Sequence, residues 1–105
     1  MDKKTVLANI SRFREAIESA GVEPQKIILY GSYAAGTQRP DSDIDLVVIS
    51  EDFEMMDYWQ RIDVLADAIY KVFLPIEAVA MTPQEWRDGD SLIADYARKG
   101  EVVFG

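Results

Sequence analysis

Apolar residues near the start of the chain recur at Val6, Ile10, Phe13 and Ile17, a spacing that lays them along one face of an α-helix. Gly21 supplies a stop for that helix. The period then changes. Ile27-Ile28-Leu29-Tyr30 is a short unbroken apolar run suited to a buried strand, and it ends at Gly31-Ser32. A polar loop containing Arg39-Pro40-Asp41-Ser42 leads to a second apolar run, Ile44 to Ile49, interrupted only by Asp45. Tyr58, Ile62, Leu65, Ile69 and Phe73 return to helical spacing and predict an amphipathic helix with that stripe facing the core. Pro75 precedes a third strand, Ile76 to Met81. Thr82-Pro83-Gln84-Glu85 combines a capping box with proline at the first helical position, so a helix begins there. Leu92, Ile93 and Tyr96 predict a last helix closed by Gly100, and Glu101 to Phe104 an edge strand.

Helices alternating with short buried strands predict an α/β (α+β) fold, a small mixed sheet of three to four strands with helices packed on it. The 105 residues contain no repeat, low-complexity tract or linker, and read as a single domain over 1–105. The composition, 49% hydrophobic and 29% charged, is that of a folded globule. Cysteine and histidine are both absent, which excludes disulfides, thiolate or imidazole metal sites and Ser-His catalysis. Any chemistry falls to carboxylates, hydroxyls, Lys, Arg or a bound metal. The polar, charged N-terminal segment reads as neither signal peptide nor membrane span, so a cytoplasmic location is expected. The net charge of −8 is uneven: residues 1–40 carry six Lys/Arg against four Asp/Glu, and residues 41–105 five against fifteen. No basic stripe is available to follow a run of phosphates, so binding to long nucleic acid is not expected.

Three features then bear on chemistry. Gly31-Ser32 follows a buried strand directly; a turn there into a short helix presents backbone N–H groups and the Ser32 hydroxyl to a phosphate. Alone, it also reads as an ordinary turn. Asp43-Ile44-Asp45 opens a strand, where residues two apart share a face, so both carboxylates converge. Like charges held that close resist joint ionisation, and a hard divalent cation such as Mg²⁺ relieves the conflict. Alone, the pair also reads as a loop cap and a solvated strand end. Glu77 sets a third carboxylate inside Ile76-Glu77-Ala78-Val79-Ala80, and alone reads equally well as an edge-strand charge. If that strand pairs with the Asp43/Asp45 strand, three carboxylates meet. From average residue frequencies, Gly-Ser, ten residues and then Asp-x-Asp arises by chance in roughly one chain of this length per thousand.

Gly31-Ser32-(ten residues)-Asp43-Ile44-Asp45, within the stretch Ile27 to Ile49, resembles the polymerase-beta-like nucleotidyltransferase superfamily, and most of all its minimal nucleotidyltransferase branch. The resemblance implies that Gly31 and Ser32 hold the triphosphate of ATP or another nucleoside triphosphate. It further implies that Asp43 and Asp45 ligate two Mg²⁺ ions and that Glu77 fills the third carboxylate position. That position is commonly Asp in the family, and Glu77 is one methylene longer. Many relatives carry a basic residue where this chain has Ala35; Arg39 is the candidate to face the phosphates instead. In such a site one ion activates the attacking hydroxyl, the other stabilises the leaving pyrophosphate, and the third carboxylate accepts the hydroxyl proton.

The resemblance also implies a partner. Stand-alone minimal members pair with helical HEPN-domain proteins in toxin–antitoxin systems, and move AMP onto a hydroxyl of the partner. The alternative is a catalytically weak module of the same fold that neutralises a partner by contact. Trp59 directly follows Tyr58 and points about 100° away from the Tyr58/Phe73 stripe, beside Asp57 and Asp63. It is the candidate anchor for a protein partner of complementary charge.

Overall fold

The N-terminal helical spacing becomes α1 (Lys3–Ser19), and its buried residues are Val6, Ile10, Phe13 and Ile17. In the computed structural model, which describes residues 1–105, the two apolar runs that follow form β1 (Lys26–Tyr30) and β2 (Ile44–Ile49). Between them the chain turns at Gly31 into one short helix, α2 (Ser32–Ala35). β2 leads through a 3-10 turn at Glu51–Met55 to α3 (Tyr58–Val72) and β3 (Ile76–Met81). The capping box at Thr82 starts α4 (Pro83–Asp88) with its proline at the N-terminus, as the sequence predicts. α5 (Leu92–Arg98) and β4 (Glu101–Phe104) complete the chain.

The four strands form one mixed sheet in the order β3-β2-β1-β4. β1 runs antiparallel to both β2 and β4, whereas β2 and β3 are parallel. A parallel neighbour requires a crossover, and α3 supplies it. The alternation of the strands assigns the two faces. Ile27, Leu29, Ile44, Leu46, Val48 and Ile76 pack in the main core with α1, α3, Tyr33 and Phe53. Ile28, Val47, Ile49 and Met81 face the other way and are covered by Ala94 and Ala97 of α5, with Trp86 of α4 against them. The fold is thus a sheet with a large core on one face and a smaller, partial cover on the other.

The expectation about the buried face of α3 is corrected, and on α5, whose helix stands as expected, the buried face is made of alanines. On α3 the buried residues are Leu65, Ala68 and Val72, while Tyr58 is 68% exposed and Phe73 87% exposed. The stripe is rotated because the small Ala68 lets α3 approach the sheet closely, and this displaces the bulky residues to its rim. Phe73 lies outside the helical register altogether: it is the C-cap, in the left-handed conformation with φ 56°. On α5 the buried residues are Ala94 and Ala97, whereas Leu92 and Tyr96 are exposed. Here again a close approach to the sheet selects alanine. Trp59, the expected exposed aromatic, is 70% exposed and stacks edge-on against Tyr58 with ring centroids 5.2 Å apart.

Phe73 yields a prediction opposite to the usual reading of an apolar truncation. A side chain with Cβ in the left-handed region costs about 1–2 kcal/mol, part of which is offset by the extra freedom of glycine in the unfolded chain. Phe73→Gly is therefore expected to raise stability by about 0.5–1 kcal/mol, read as a higher midpoint in thermal unfolding. A lower midpoint would show that the exposed ring contributes more than its backbone costs.

Candidate active site

Asp45 and Glu77 are register partners on the parallel strands β2 and β3, and so project from the same face of the sheet. That face is the one covered only in part by α4 and α5. At the Asp45 end of β2 the cover stops, which leaves Asp45 half-buried and Glu77 exposed. Asp43 immediately precedes β2, is exposed, and is near enough for its charge to act on Asp45. The Asp45 carboxyl is pushed up to about 6 by burial first, then by the charges of Glu77 and Asp43, and by a proton it can share with Glu77. On the other side Tyr30, the register partner of Asp45 on β1, has its phenol raised by burial and by the charges of Asp45 and Glu77.

The turn after β1 is shaped around this carboxylate. Gly31 has φ 74° and ψ −152°, a region that is essentially glycine-only. A Cβ at Gly31 would overlap Asp45 Oδ2 and stand 3.1 Å from its Cγ. The two halves of the sequence motif therefore meet in space: the Gly-Ser turn lies against the second Asp of the Asp-x-Asp. Ser32 is half-buried at the start of α2. Arg39 is exposed in the loop before β2, where its backbone N–H donates to Ser42 Oγ at 2.8 Å; its guanidinium forms no ion pair. The structure thus gathers Gly31, Ser32, Asp43, Asp45 and Glu77 at one end of the sheet, and leaves Arg39 on the loop that leads into it.

The donor set suits a hard divalent cation, since it consists of carboxylate oxygens, and the charges of Glu77 and Asp43 help raise the Asp45 carboxyl in its absence. No three acidic side chains converge as a ready-made ligand cluster; the close pair is Asp45 and Glu77, with Asp43 outside it. Tyr30 is the neighbour that sequence reasoning passed over. Its signal was its position, a phenol at the end of an apolar strand and directly before the Gly-Ser turn.

The residue pattern and this geometry coincide with a known family. The model of the nucleotidyltransferase domain matches residues 10–90, which spans both halves of the motif and all three carboxylates. The chain belongs to the nucleotidyltransferase domain family. Solved nucleotidyltransferase-like structures share its fold. A Sulfolobus solfataricus protein assigned as a nucleotidyltransferase superposes with a TM-score of 0.68 at 16% identity, covering 91% of this chain and 77% of that one. A toxin–antitoxin solved with AMP-PNP gives a TM-score of 0.66 at 22% identity, with 90% and 72% covered. A mutant of the MntA–HpeT toxin–antitoxin gives 0.61 at 21%, with 87% and 68% covered. At such identities the likeness is one of fold. No curated protein matches the chain. No helix of this nucleotidyltransferase fold is long and apolar enough to cross a membrane.

The raised Asp45 carboxyl has a consequence for the metal-free protein. A folded-state value of about 6 against an ordinary 3.8 means that the folded chain holds the proton more tightly than the unfolded one. That contribution is fully present below about pH 4, falls as pH rises towards 6, and is gone above it. Asp45→Asn removes the repulsion. With solvent screening of a half-exposed group discounted, the variant should be more stable than the parent by about 1 kcal/mol at pH 8 in chelator. Denaturant titration at pH 5 and pH 8 checks it: the difference should shrink at the lower pH, and a variant less stable at pH 8 would contradict the assignment.

Proposed function

We propose that the protein transfers a nucleoside monophosphate, AMP from ATP, onto a hydroxyl of a protein acceptor, with Mg²⁺ held by Asp43, Asp45 and Glu77. The observation that carries this reading is the cross-strand pair Asp45 and Glu77, set directly under a Gly31 that admits no side chain. When bound, the divalent ions would supply charge stabilisation on the transferring phosphoryl group and lower the pKa of the attacking hydroxyl. The chain's own groups do the rest. Gly31 allows the backbone to lie close beside Asp45, and Ser32 offers its hydroxyl to the phosphates. Glu77, more exposed than Asp45 and beside it, would accept the proton of the acceptor hydroxyl. Arg39 would approach the phosphates from its loop.

A helical HEPN-type partner in a toxin–antitoxin pair is the partner this reading favours. The exposed aromatic edge of α3 supports a protein contact, because Tyr58 and Trp59 present a large apolar surface flanked by Asp57 and Asp63. The same edge supports the second reading, a module that neutralises its partner by contact with little or no transfer.

The binding half of the proposal is tested by calorimetry with ATP, with and without Mg²⁺. Affinity should require the metal, and Ser32→Ala should weaken it by roughly 0.5–1.5 kcal/mol, as for one neutral hydrogen bond. Equal affinity in chelator would remove the metal from the proposal.

A further inference from the structure

A groove of about 420 Å³ lies over the far half of β3 and is lined by Arg61, Val79, Met81, Glu85, Asp88 and Asp90 among others. Arg61 is occupied by Glu85 at 2.7 Å, so the free charges of that groove are negative, and neither Asp45 nor Glu77 lines it. It is no place for phosphate. A second cavity of about 380 Å³ lies between α2 and α5 and has the opposite character. Its walls include Tyr30, Gly31, Ala34, Ala35, Tyr96 and Lys99. Neither Asp45 nor Glu77 lines it either, but it shares with the carboxylate site Tyr30 and Gly31, the two residues set against Asp45.

The two walls differ in chemistry. Gly31, Ala34 and Ala35 make one wall of small groups. Opposite them α5 presents the ring of Tyr96, 57% exposed and stacked on no other aromatic ring, and the ammonium of Lys99, which forms no ion pair. The neighbouring Arg98 is turned away: its guanidinium donates to the carbonyl of Trp86 and lies over that residue's ring. Tyr96 and Lys99 are three residues apart and so share one face of α5. The end of that helix is fixed against β1, because a Cβ at Gly100 would overlap the Leu29 carbonyl oxygen. A cavity lined by an exposed aromatic ring and by small residues takes a planar apolar group, and a free ammonium three residues on takes an anion.

We infer that the cavity between α2 and α5 is the nucleoside subsite of the transfer site, with the base stacked on Tyr96 and a phosphate of the same nucleotide on Lys99. This rests on the proposed transfer reaction and adds to it the residues that grip the nucleotide. Neither residue was visible as functional in the sequence, where Tyr96 marked only the last helix.

Both side chains are exposed, so their replacement should leave the fold intact, which a thermal melt verifies. The test is calorimetry of wild type, Tyr96→Ala, Tyr96→Phe and Lys99→Met with Mg-ATP and, separately, with magnesium tripolyphosphate, which has no base. Stacking on an aromatic ring contributes about 1–3 kcal/mol per base, and 1.4 kcal/mol is tenfold. Tyr96→Ala should therefore weaken ATP at least about fivefold and leave tripolyphosphate within about twofold, while Tyr96→Phe keeps the affinity of the wild type. Lys99→Met should weaken both ligands, by about fivefold. If Tyr96→Ala and Lys99→Met bind ATP as the wild type does, the subsite is wrong and the transfer reading stands without it. Equal losses of ATP and tripolyphosphate in Tyr96→Ala, or a loss in Tyr96→Phe as large as in Tyr96→Ala, likewise overturn the stacking role. Failure of the wild type to bind Mg-ATP at all overturns the subsite and the transfer reading together.

Discussion

Replacement of Asp43 and Asp45 together by Asn is expected to abolish metal-dependent nucleotide binding and to reduce transfer by at least about a thousandfold. Divalent ions contribute several kcal/mol of charge stabilisation in such reactions, and each 1.36 kcal/mol is a factor of ten in rate. The fold should survive. Asp43 is exposed outside the strand, and Asp45 faces the partly uncovered side of the sheet instead of the main core. The variant should in fact melt no lower than the parent in chelator, because it removes the repulsion that Glu77 and Asp43 exert on Asp45. A double variant that keeps its Mg-ATP affinity would dissociate the carboxylates from the metal altogether.

Gly31→Ala should be nearly as damaging, through geometry instead of charge. The new methyl group overlaps the end of Asp45 and lies 3.4 Å from its Cβ, so rotation of the carboxylate alone gives limited relief. Either Asp45 is displaced from its register with Glu77, or the turn opens and takes Ser32 with it. The backbone at φ 74° adds strain on the order of 1–3 kcal/mol. The expected result is a folded protein, destabilised by about 2 kcal/mol in denaturant titration, with transfer reduced by at least about tenfold. By contrast, Gly36→Ala carries a left-handed glycine with no atom within 4 Å of its Cβ position, and should lose stability with little effect on transfer. Equal transfer by Gly31→Ala and the parent would show that Asp45 need not sit where the structure places it.

How far these features were legible in the sequence varies from residue to residue. β2 and β3 begin and end where the apolar runs do; β2, packed on both faces, needs a continuous apolar stretch, and β3 extends it at the sheet edge. α1 was legible because its stripe is built of large residues with one polar side. The site was half legible. The motif named Gly31, Ser32, Asp43 and Asp45, but the meeting of Asp45 with Glu77 depends on a parallel register between β2 and β3, and pairing between strands thirty residues apart leaves no local trace. The existence of α3 and α5 was legible, but their buried faces were not. Hydropathy counts Tyr58, Phe73, Leu92 and Tyr96 as core candidates, whereas close helix–sheet packing buried Ala68, Ala94 and Ala97. The turn at Glu51–Met55 was missed as well, since its single buried anchor, Phe53, stands in an otherwise acidic segment.

The exposed aromatics on α3 and the exposed Tyr96 on α5 therefore stand out only once the packing is known. They occupy different faces of the molecule and carry different proposals, a protein contact and a nucleotide contact. Trp59→Ala should disrupt the first and leave Mg-ATP affinity unchanged, which separates them.

The most direct measurement of the central claim compares the position of the label. The purified protein is incubated with Mg²⁺ and a lysate of its native host, once with ATP labelled at the α-phosphate and once with ATP labelled at the γ-phosphate. Nucleotidyl transfer predicts a labelled protein band from the α-label alone, absent in chelator and absent with the Asp43→Asn/Asp45→Asn variant. A band from the γ-label would make the reaction a phosphoryl transfer, and no band from either label would leave the protein as a module that acts by contact.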